Sequence, residues 1–170
     1  MQSTLVALVE DKPGVLNRVA SLFRRRAFNI ESLAVGHTEQ PGVSRMTIVV
    51  DSTHTSVDMV VQNLYKLVNV IQVDNVTDTP AVMRDLALIK VNADGGSSRA
   101  EIMQIVETFR ARVVDVSLHT LMVEVTGTDD KINGLVEVLR PYGIVEMVRT
   151  GCVAMARGNS ESVGDTSPEC

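Results

Sequence analysis

The first half of the chain alternates short apolar runs with stretches of helical periodicity. Residues 4–9 form an apolar run typical of a strand that is buried on both faces. After a Pro-Gly break, apolar residues recur at helical spacing, and these are Val15, Leu16, Val19, Leu22 and Phe23. A hairpin with strands over 30–37 and 44–51 follows, and then a second helix and a strand over 68–76. The pattern predicts the order β-α-β-β-α-β.

The second half of the chain repeats this order. Strands are predicted over residues 86–91, 113–117, 121–126 and 144–148. Two helices are marked by apolar residues at helical spacing, namely Ile102, Ile105, Val106 and Phe109, and then Ile132, Leu135, Val136 and Leu139. Each half is a split β-α-β unit, in which a four-stranded antiparallel sheet carries both helices on one face. The predicted fold is α+β, with two tandem ferredoxin-like βαββαβ domains.

The domain boundaries follow from where the periodicity stops. The chain has 170 residues, which is enough for two small domains. We predict a first domain over residues 1–77, a linker over 78–83 and a second domain over 84–158. Residues 159–170 are polar and lack periodicity, so they are predicted to form a flexible tail.

Composition restricts the class of protein. Apolar residues make up 45% of the chain and charged residues 22%, a normal globular balance. The net charge of −5 and the single basic run, residues 24–26, argue against a nucleic-acid binder. The N-terminus does not resemble a signal peptide, and the apolar runs are too short to span a membrane. A soluble, cytoplasmic protein is therefore expected.

The residues that would carry catalysis or bind a metal are not grouped in the sequence. His37, His54 and His119 are isolated from one another, and the two cysteines are far apart. Three Phe and two Tyr are too few for an RNA-stacking surface. Neither a phosphate-binding loop nor a nucleophile motif is present, and Asp129-Asp130 is explained by a helix start. We predict no catalytic residues and no metal ligands, and hence a binding role.

Apolar residues on the central hairpin predict self-association. They fall on both faces of the strands and are Val35, Met46, Ile48, Val49 and Val50. A ferredoxin-like sheet buries only one face under its helices, and its edge strands also need a partner or a polar coat. At least a homodimer is therefore expected.

The segment between the first strand and the first helix is the best candidate for a ligand site. Pro13 suits the first turn of a helix, and Gly14 has no side chain to block a ligand. The N–H groups of Val15 and Leu16 would then face a carboxylate at the positive end of the helix. Asp11 is placed to pair with an ammonium group, and the two charges together describe an amino acid. The alternative is a plain helix start with Asp11 near the cap.

This segment and several others carry a family resemblance. Asp-x-Pro-Gly-x-Leu over residues 11–16 resembles the ACT domain, a regulatory module that binds amino acids between paired copies. Six further segments are similar to the small subunit of acetolactate synthase, also called acetohydroxyacid synthase. They are residues 28–33, 44–48, 64–70, 109–116, 126–128 and 144–151. The resemblance runs in order along nearly the whole chain to residue 158.

The resemblance implies a function that composition and spacing do not. It implies a non-catalytic subunit that activates the catalytic (large) subunit of acetolactate synthase and confers feedback inhibition by valine in branched-chain amino acid biosynthesis. Thiamine diphosphate, Mg²⁺ and FAD would belong to the catalytic subunit, and this chain would hold no cofactor. The alternative within binding proteins is a stand-alone ACT-domain sensor of another amino acid.

The resemblance also implies where the effector binds. In the family, valine lies between two N-terminal domains, against the first loop of one chain and the start of the second strand of the other. The matching positions are Asp11, Pro13, Gly14, Val15 and Leu16 in the loop and Asn29 and Ile30 on the strand. An Asn side chain offers a donor and an acceptor to a zwitterion, although it also suits a turn. Valine-sensitive members carry Asn where this chain has Asp11, so a charge replaces a neutral amide.

Overall fold

The structure, a computed structural model, describes residues 1–158. The predicted flexible tail over 159–170 lies outside the described residues. Two compact units are present. The first contains residues 1–82 together with the described residues 152–158, and the second contains residues 83–151.

The first unit has the predicted β-α-β-β-α-β order. Its elements are β1 (Gln2–Glu10), α1 (Val15–Arg25), β2 (Ile30–His37), β3 (Val43–Asp51), α2 (Val57–Leu64) and β4 (Val70–Asn75). The strands form an antiparallel sheet in the order β2-β3-β1-β4, which places β2 and β4 at its edges. The ferredoxin-like fold predicted for this half is confirmed.

Alternation along the two central strands builds the core of the first unit. Every second residue of β1 and β3 points to one face, where α1 and α2 cover it, and these residues are Leu5, Ala7, Val9, Met46, Ile48 and Val50. From α1, Val19 and Phe23 are buried, and the Phe23 ring meets Phe28 edge to face at 5.7 Å. Leu16, which the periodicity places with these core residues, is 46% exposed.

The second unit repeats the arrangement. Its elements are β5 (Ala81–Asn92), α3 (Gly96–Thr108), β6 (Arg112–Val116), β7 (Thr120–Gly127), α4 (Asp129–Leu139) and β8 (Ile144–Arg149), with a 3-10 turn over Arg140–Tyr142. The antiparallel strand order is β6-β7-β5-β8, the same as in the first unit. The tandem ferredoxin-like fold is therefore confirmed for the two units.

After the second unit the chain returns to the first. Strand β9 (Val153–Ala156), which the sequence did not predict, pairs with β5, whose first two residues belong to the first unit. The Cys152 N–H donates to Ser32 Oγ at 2.9 Å, and Arg45 donates to the carbonyl of Ala154 at 2.7 Å. By register, Ser32 and Arg45 lie on the face of the first sheet that its helices do not cover. Part of that face is therefore occupied by the chain itself.

Burial of residues of α1 stabilises the fold, and this contribution to the free energy of unfolding can be measured. Val19 in α1 is 1% exposed, whereas Val68 in the turn before β4 is 87% exposed. We expect Val19→Ala to lower the free energy of unfolding by about 2 kcal/mol, because it removes two buried methyl-sized groups. Val68→Ala makes the same chemical change at the surface and should alter it by less than about 0.5 kcal/mol. Urea denaturation followed by circular dichroism measures both, and equal losses would contradict the assigned packing.

Candidate effector site

The loop between β1 and α1 is held from both sides by backbone hydrogen bonds. The Asp11 N–H donates to the carbonyl of Gly42, in the β2–β3 hairpin, at 2.8 Å. The Lys12 N–H donates to the carbonyl of Glu10 at 3.0 Å, and the Val15 N–H donates to that of Lys12 at 3.3 Å. The loop is thus a tight turn fixed beside the hairpin, and its position relative to the sheet is defined.

Gly14 is the residue that opens this loop to a ligand. It is the N-cap of α1 and has φ 83°, in the left-handed region that favours glycine. A Cβ placed on it would meet nothing within 4 Å, so the space above the helix end is open. Pro13 lies before the helix, and the prediction that it occupies the first turn is wrong, because Gly14 takes the cap position.

The two backbone N–H groups predicted to bind a ligand, those of Val15 and Leu16, differ in their surroundings. The Val15 N–H points back to Lys12 in the turn, so the prediction that it faces outward to a ligand is wrong. Leu16 follows within the first helical turn, where amides have no intrahelical acceptor, and its side chain is 46% exposed. The positive end of the helix dipole and the N–H groups of Leu16 and Asn17 are therefore what this helix end offers to an anion.

Asp11 is paired with a residue that the sequence did not connect to the site. Its Oδ2 lies 3.1 Å from Nδ1 of His37, the last residue of β2. The His37 side chain is 83% exposed and that of Asp11 is 44% exposed. The signal was available in the fold prediction, because β1 and β2 both run antiparallel to β3 and so end at the same side of the sheet.

The neighbouring carboxylate, Glu10, is engaged in a separate network. Its Oε2 lies 3.0 Å from Lys12 Nζ and accepts a 2.7 Å hydrogen bond from Asn69 Nδ2. Arg18 in α1 in turn donates to Asn69 Oδ1. These contacts, chiefly the one with Lys12 and then the one with Asn69, lower the pKa of Glu10. Glu10 thus pairs with Lys12 and Asn69, whereas Asp11 contacts His37.

Asn29 and Ile30 lie at the other end of the sheet. Ile30 pairs with Val50, whereas His37 pairs with Ser44. The seven steps along β2 between Ile30 and His37 span roughly 23 Å, at about 3.3 Å per residue. The Asn29 side chain donates to Glu31, and its carbonyl accepts from the Asp51 N–H at 3.1 Å. One chain therefore does not bring the seven predicted effector residues together. It presents them as two groups at opposite ends of β2.

The second unit contains a cleft of its own. A cleft of about 400 Å³ in the second unit is lined by Ile105, Phe109, Val138 and Tyr142, and the Tyr142 hydroxyl donates to Glu101 at 2.8 Å. That hydrogen bond raises the pKa of Tyr142. Within the described residues, acidic, His and Cys side chains do not form a group of three suited to a metal ion.

Within residues 1–158, none of the helices is both long and apolar enough to cross a bilayer.

Comparison with known proteins defines the class of protein and then its family. Residues 5–72 match the family described as AHAS small subunit-like ACT domain. The first unit therefore belongs to the class of ACT domains. Residues 84–158 match the family described as small subunit of acetolactate synthase.

Curated relatives and a solved structure extend the likeness along the whole chain. A probable acetolactate synthase small subunit of Archaeoglobus fulgidus is 50% identical over 161 residues, which are 95% of this chain and 100% of the relative. The acetolactate synthase small subunit of Mycolicibacterium smegmatis is 52% identical over 155 residues, 91% of each chain. The crystal structure of the acetolactate synthase small subunit from Thermotoga maritima matches with a TM-score of 0.86 at 39% identity, covering 94% of this chain and 99% of that one.

The chain belongs to the acetolactate synthase small-subunit family. Membership supports a regulatory rather than a catalytic role and implies a catalytic subunit as partner.

The Glu10 network gives a prediction that needs no ligand. Replacing Lys12 with Met should raise the pKa of Glu10, because it removes the contact that lowers it most. Asn69→Leu should raise it by a smaller amount, since that hydrogen bond is the second cause. Titration of the Glu10 carboxyl by NMR measures both. Lys66→Met serves as a control, because Lys66 contacts Asn63 and not Glu10. A larger rise in Asn69→Leu than in Lys12→Met would contradict the arrangement.

Proposed function

We propose that this chain is the regulatory subunit of an acetolactate synthase, which activates the catalytic subunit and confers feedback inhibition by valine in branched-chain amino acid biosynthesis. The observation that carries the proposal is the placement of the two groups of effector residues. The open loop at Asp11 and Gly14 lies beside the end of β2, and Asn29 and Ile30 lie at its start. A complete site then needs two chains. We also propose that the protein acts in the cytoplasm, as expected from its sequence.

The edge position of β2 supports such a homodimer. In the strand order β2-β3-β1-β4, one side of β2 has no neighbouring strand within the sheet of its own unit. If two β2 strands pair antiparallel about a two-fold axis at the middle of the strand, Ile30 of one chain comes opposite His37 of the other. Because His37 contacts Asp11, this arrangement brings the two groups together twice, in equivalent sites. Val35, 46% exposed, would be covered.

The chemistry of each joint site fits a small zwitterion. The carboxylate of valine takes the N-terminal end of α1, where Gly14 leaves open space. Its ammonium group takes Asp11, whose side chain is accessible. From the second chain, Asn29 supplies both a donor and an acceptor, and Ile30 offers an apolar surface to the valine side chain. One methylene changes binding by only about 1–3 kcal/mol, so related amino acids are weaker effectors rather than inert ones.

Valine bound between two chains favours one arrangement of the dimer, and the catalytic subunit responds to that preference. Coupling of this kind is typically about 1–3 kcal/mol, or roughly 5- to 150-fold in apparent affinity. Thiamine diphosphate, Mg²⁺ and FAD are assigned to the catalytic subunit under this proposal. The residues of this chain contribute assembly and effector binding.

Reconstitution with the catalytic subunit tests the whole proposal. We expect the full chain to raise the rate of acetolactate formation and valine to lower that rate, with a valine-free mixture and the catalytic subunit alone as references. Calorimetry on the chain alone should detect valine binding. Binding of an amino acid without any effect on the catalytic subunit would favour a stand-alone sensor, and neither binding nor activation would refute the proposal.

Gly14 allows a matched test of the site. Gly14→Asp puts a negative side chain where the valine carboxylate is assigned, so valine affinity should fall by at least about tenfold, equivalent to about 1.4 kcal/mol. Activation of the catalytic subunit should persist. Gly95→Asp is the control, because Gly95 is also an open helix N-cap with positive φ, at α3 of the second unit. Unchanged valine binding in Gly14→Asp, measured by calorimetry, would contradict the assignment.

A further inference from the structure

The Asp11–His37 contact differs from the other contacts of the β1–α1 loop. Lys12 pairs with Glu10 in an ammonium–carboxylate contact. His37 instead faces Asp11 at 3.1 Å, and an imidazole is the side-chain type that can gain or lose a proton between about pH 5 and 8. The carboxylate assigned to the effector ammonium therefore lies beside an imidazole rather than beside an ammonium group.

We propose that His37 is a positioning residue that competes with the ammonium group of the effector for Asp11, so that protonated His37 weakens effector binding. This inference rests on the proposed function, because it takes Asp11 as the group that holds the ammonium. It adds pH-dependent regulation to that site, because the effector is bound more tightly in neutral or alkaline solution than in acidic solution.

The direction follows from the donors and acceptors of the pair. Nδ1 of His37 lies 3.1 Å from Oδ2 of Asp11, close enough for an ion pair when the imidazole is cationic. A neutral imidazole at this position competes only weakly with an ammonium group for the carboxylate. Protonation makes His37 a cation, and Asp11 is then in an ion pair that the ammonium must break. Effector binding thus favours loss of the His37 proton, and by linkage the affinity rises with pH.

Other charged groups around the pair do not change this direction. On the loop, Glu10 and Lys12 bind each other, and on α1 Arg18 donates to Asn69. Glu39 follows in the hairpin, and on β3 Arg45 donates to the carbonyl of Ala154.

The start of β2, which the proposed dimer brings to the site, contributes two further acids and one titratable amine. Glu31 accepts from Asn29, and Asp51 lies 3.5 Å from the amino group of Met1. An α-amino group titrates at the upper limit of the same range, so a variant must separate its effect from that of His37.

The fold does not depend on the imidazole. The His37 side chain is 83% exposed, and the backbone of this residue is held by pairing with Ser44. A substitution at His37 therefore leaves β2 in place. His37→Asn is the informative change, because it keeps a polar side chain beside Asp11 but removes the imidazole.

The experiment is calorimetric titration of the full chain with valine at pH 8 and pH 6, where free valine stays zwitterionic. We expect the wild-type affinity to fall about three- to fivefold at pH 6, the range of an exposed ion pair of up to about 1 kcal/mol. His37→Asn should remove this pH dependence, so that the ratio of its affinities at pH 8 and pH 6 approaches one. In an Asp11→Asn background, the same change should have no further effect on the pH profile.

His119→Asn is the matched control. His119 contacts Asp94 at 2.7 Å in the second unit and is 77% exposed, so it resembles His37 in chemistry but not in place. Its substitution should keep the wild-type pH dependence.

Two outcomes would overturn the inference while the proposed function stands. They are valine binding with the same pH dependence in His37→Asn as in the wild type, and an affinity that rises on acidification. Absence of valine binding at pH 8 would overturn the proposed function, and this inference with it.

Discussion

The antiparallel pairing of β1 with β3 is the constraint on which the site depends. It runs without interruption from Gln2 opposite Asp51 to Glu10 opposite Val43. Since β2 pairs with the other side of β3, this register fixes which residues of β1 and β2 share an end of the sheet. It sets the β1–α1 loop beside His37 and keeps Asn29 far from it. A shift by one residue would also turn the buried side of β1 away from α1 and α2.

The fold was predictable because its signals are local and repeated. Alternation on β1 and β3 and the helical spacing of α1 each identify one buried face, and both halves of the chain show them. The exceptions have physical reasons. Leu16 has helical spacing but is 46% exposed, whereas Val15, one position earlier, is buried, so Leu16 lies outside the buried stripe of α1. Strand β9 was missed because four residues carry too little periodicity, and its position depends on contacts with Ser32 and Arg45 that are distant in sequence.

The candidate site was only partly predictable for a related reason. Gly14 was identified because a Pro-Gly break before an apolar helix restricts the backbone locally. The direction of the Val15 N–H depends on the turn that Lys12 closes, and spacing alone does not specify that turn. His37 is 26 positions beyond Asp11, and only the strand order of the sheet brings the two together. Sequence patterns therefore defined the loop, and the sheet defined its electrostatic partner.

The pairing of Asp11 with His37 bears on how one loop can hold a charge near the end of a helix. An unpaired carboxylate at this position would face the carboxylate of an amino acid as well as its ammonium group, and the first interaction is unfavourable. A neighbouring imidazole offsets that charge only in its cationic form, and in that form it competes with the ligand ammonium. Lys12 does not take this part, because it already pairs with Glu10 at 3.0 Å. Under the proposed function, the acid and the histidine act as one unit: Asp11 supplies the attraction for an amino acid, and His37 determines how much of that attraction is available at a given pH.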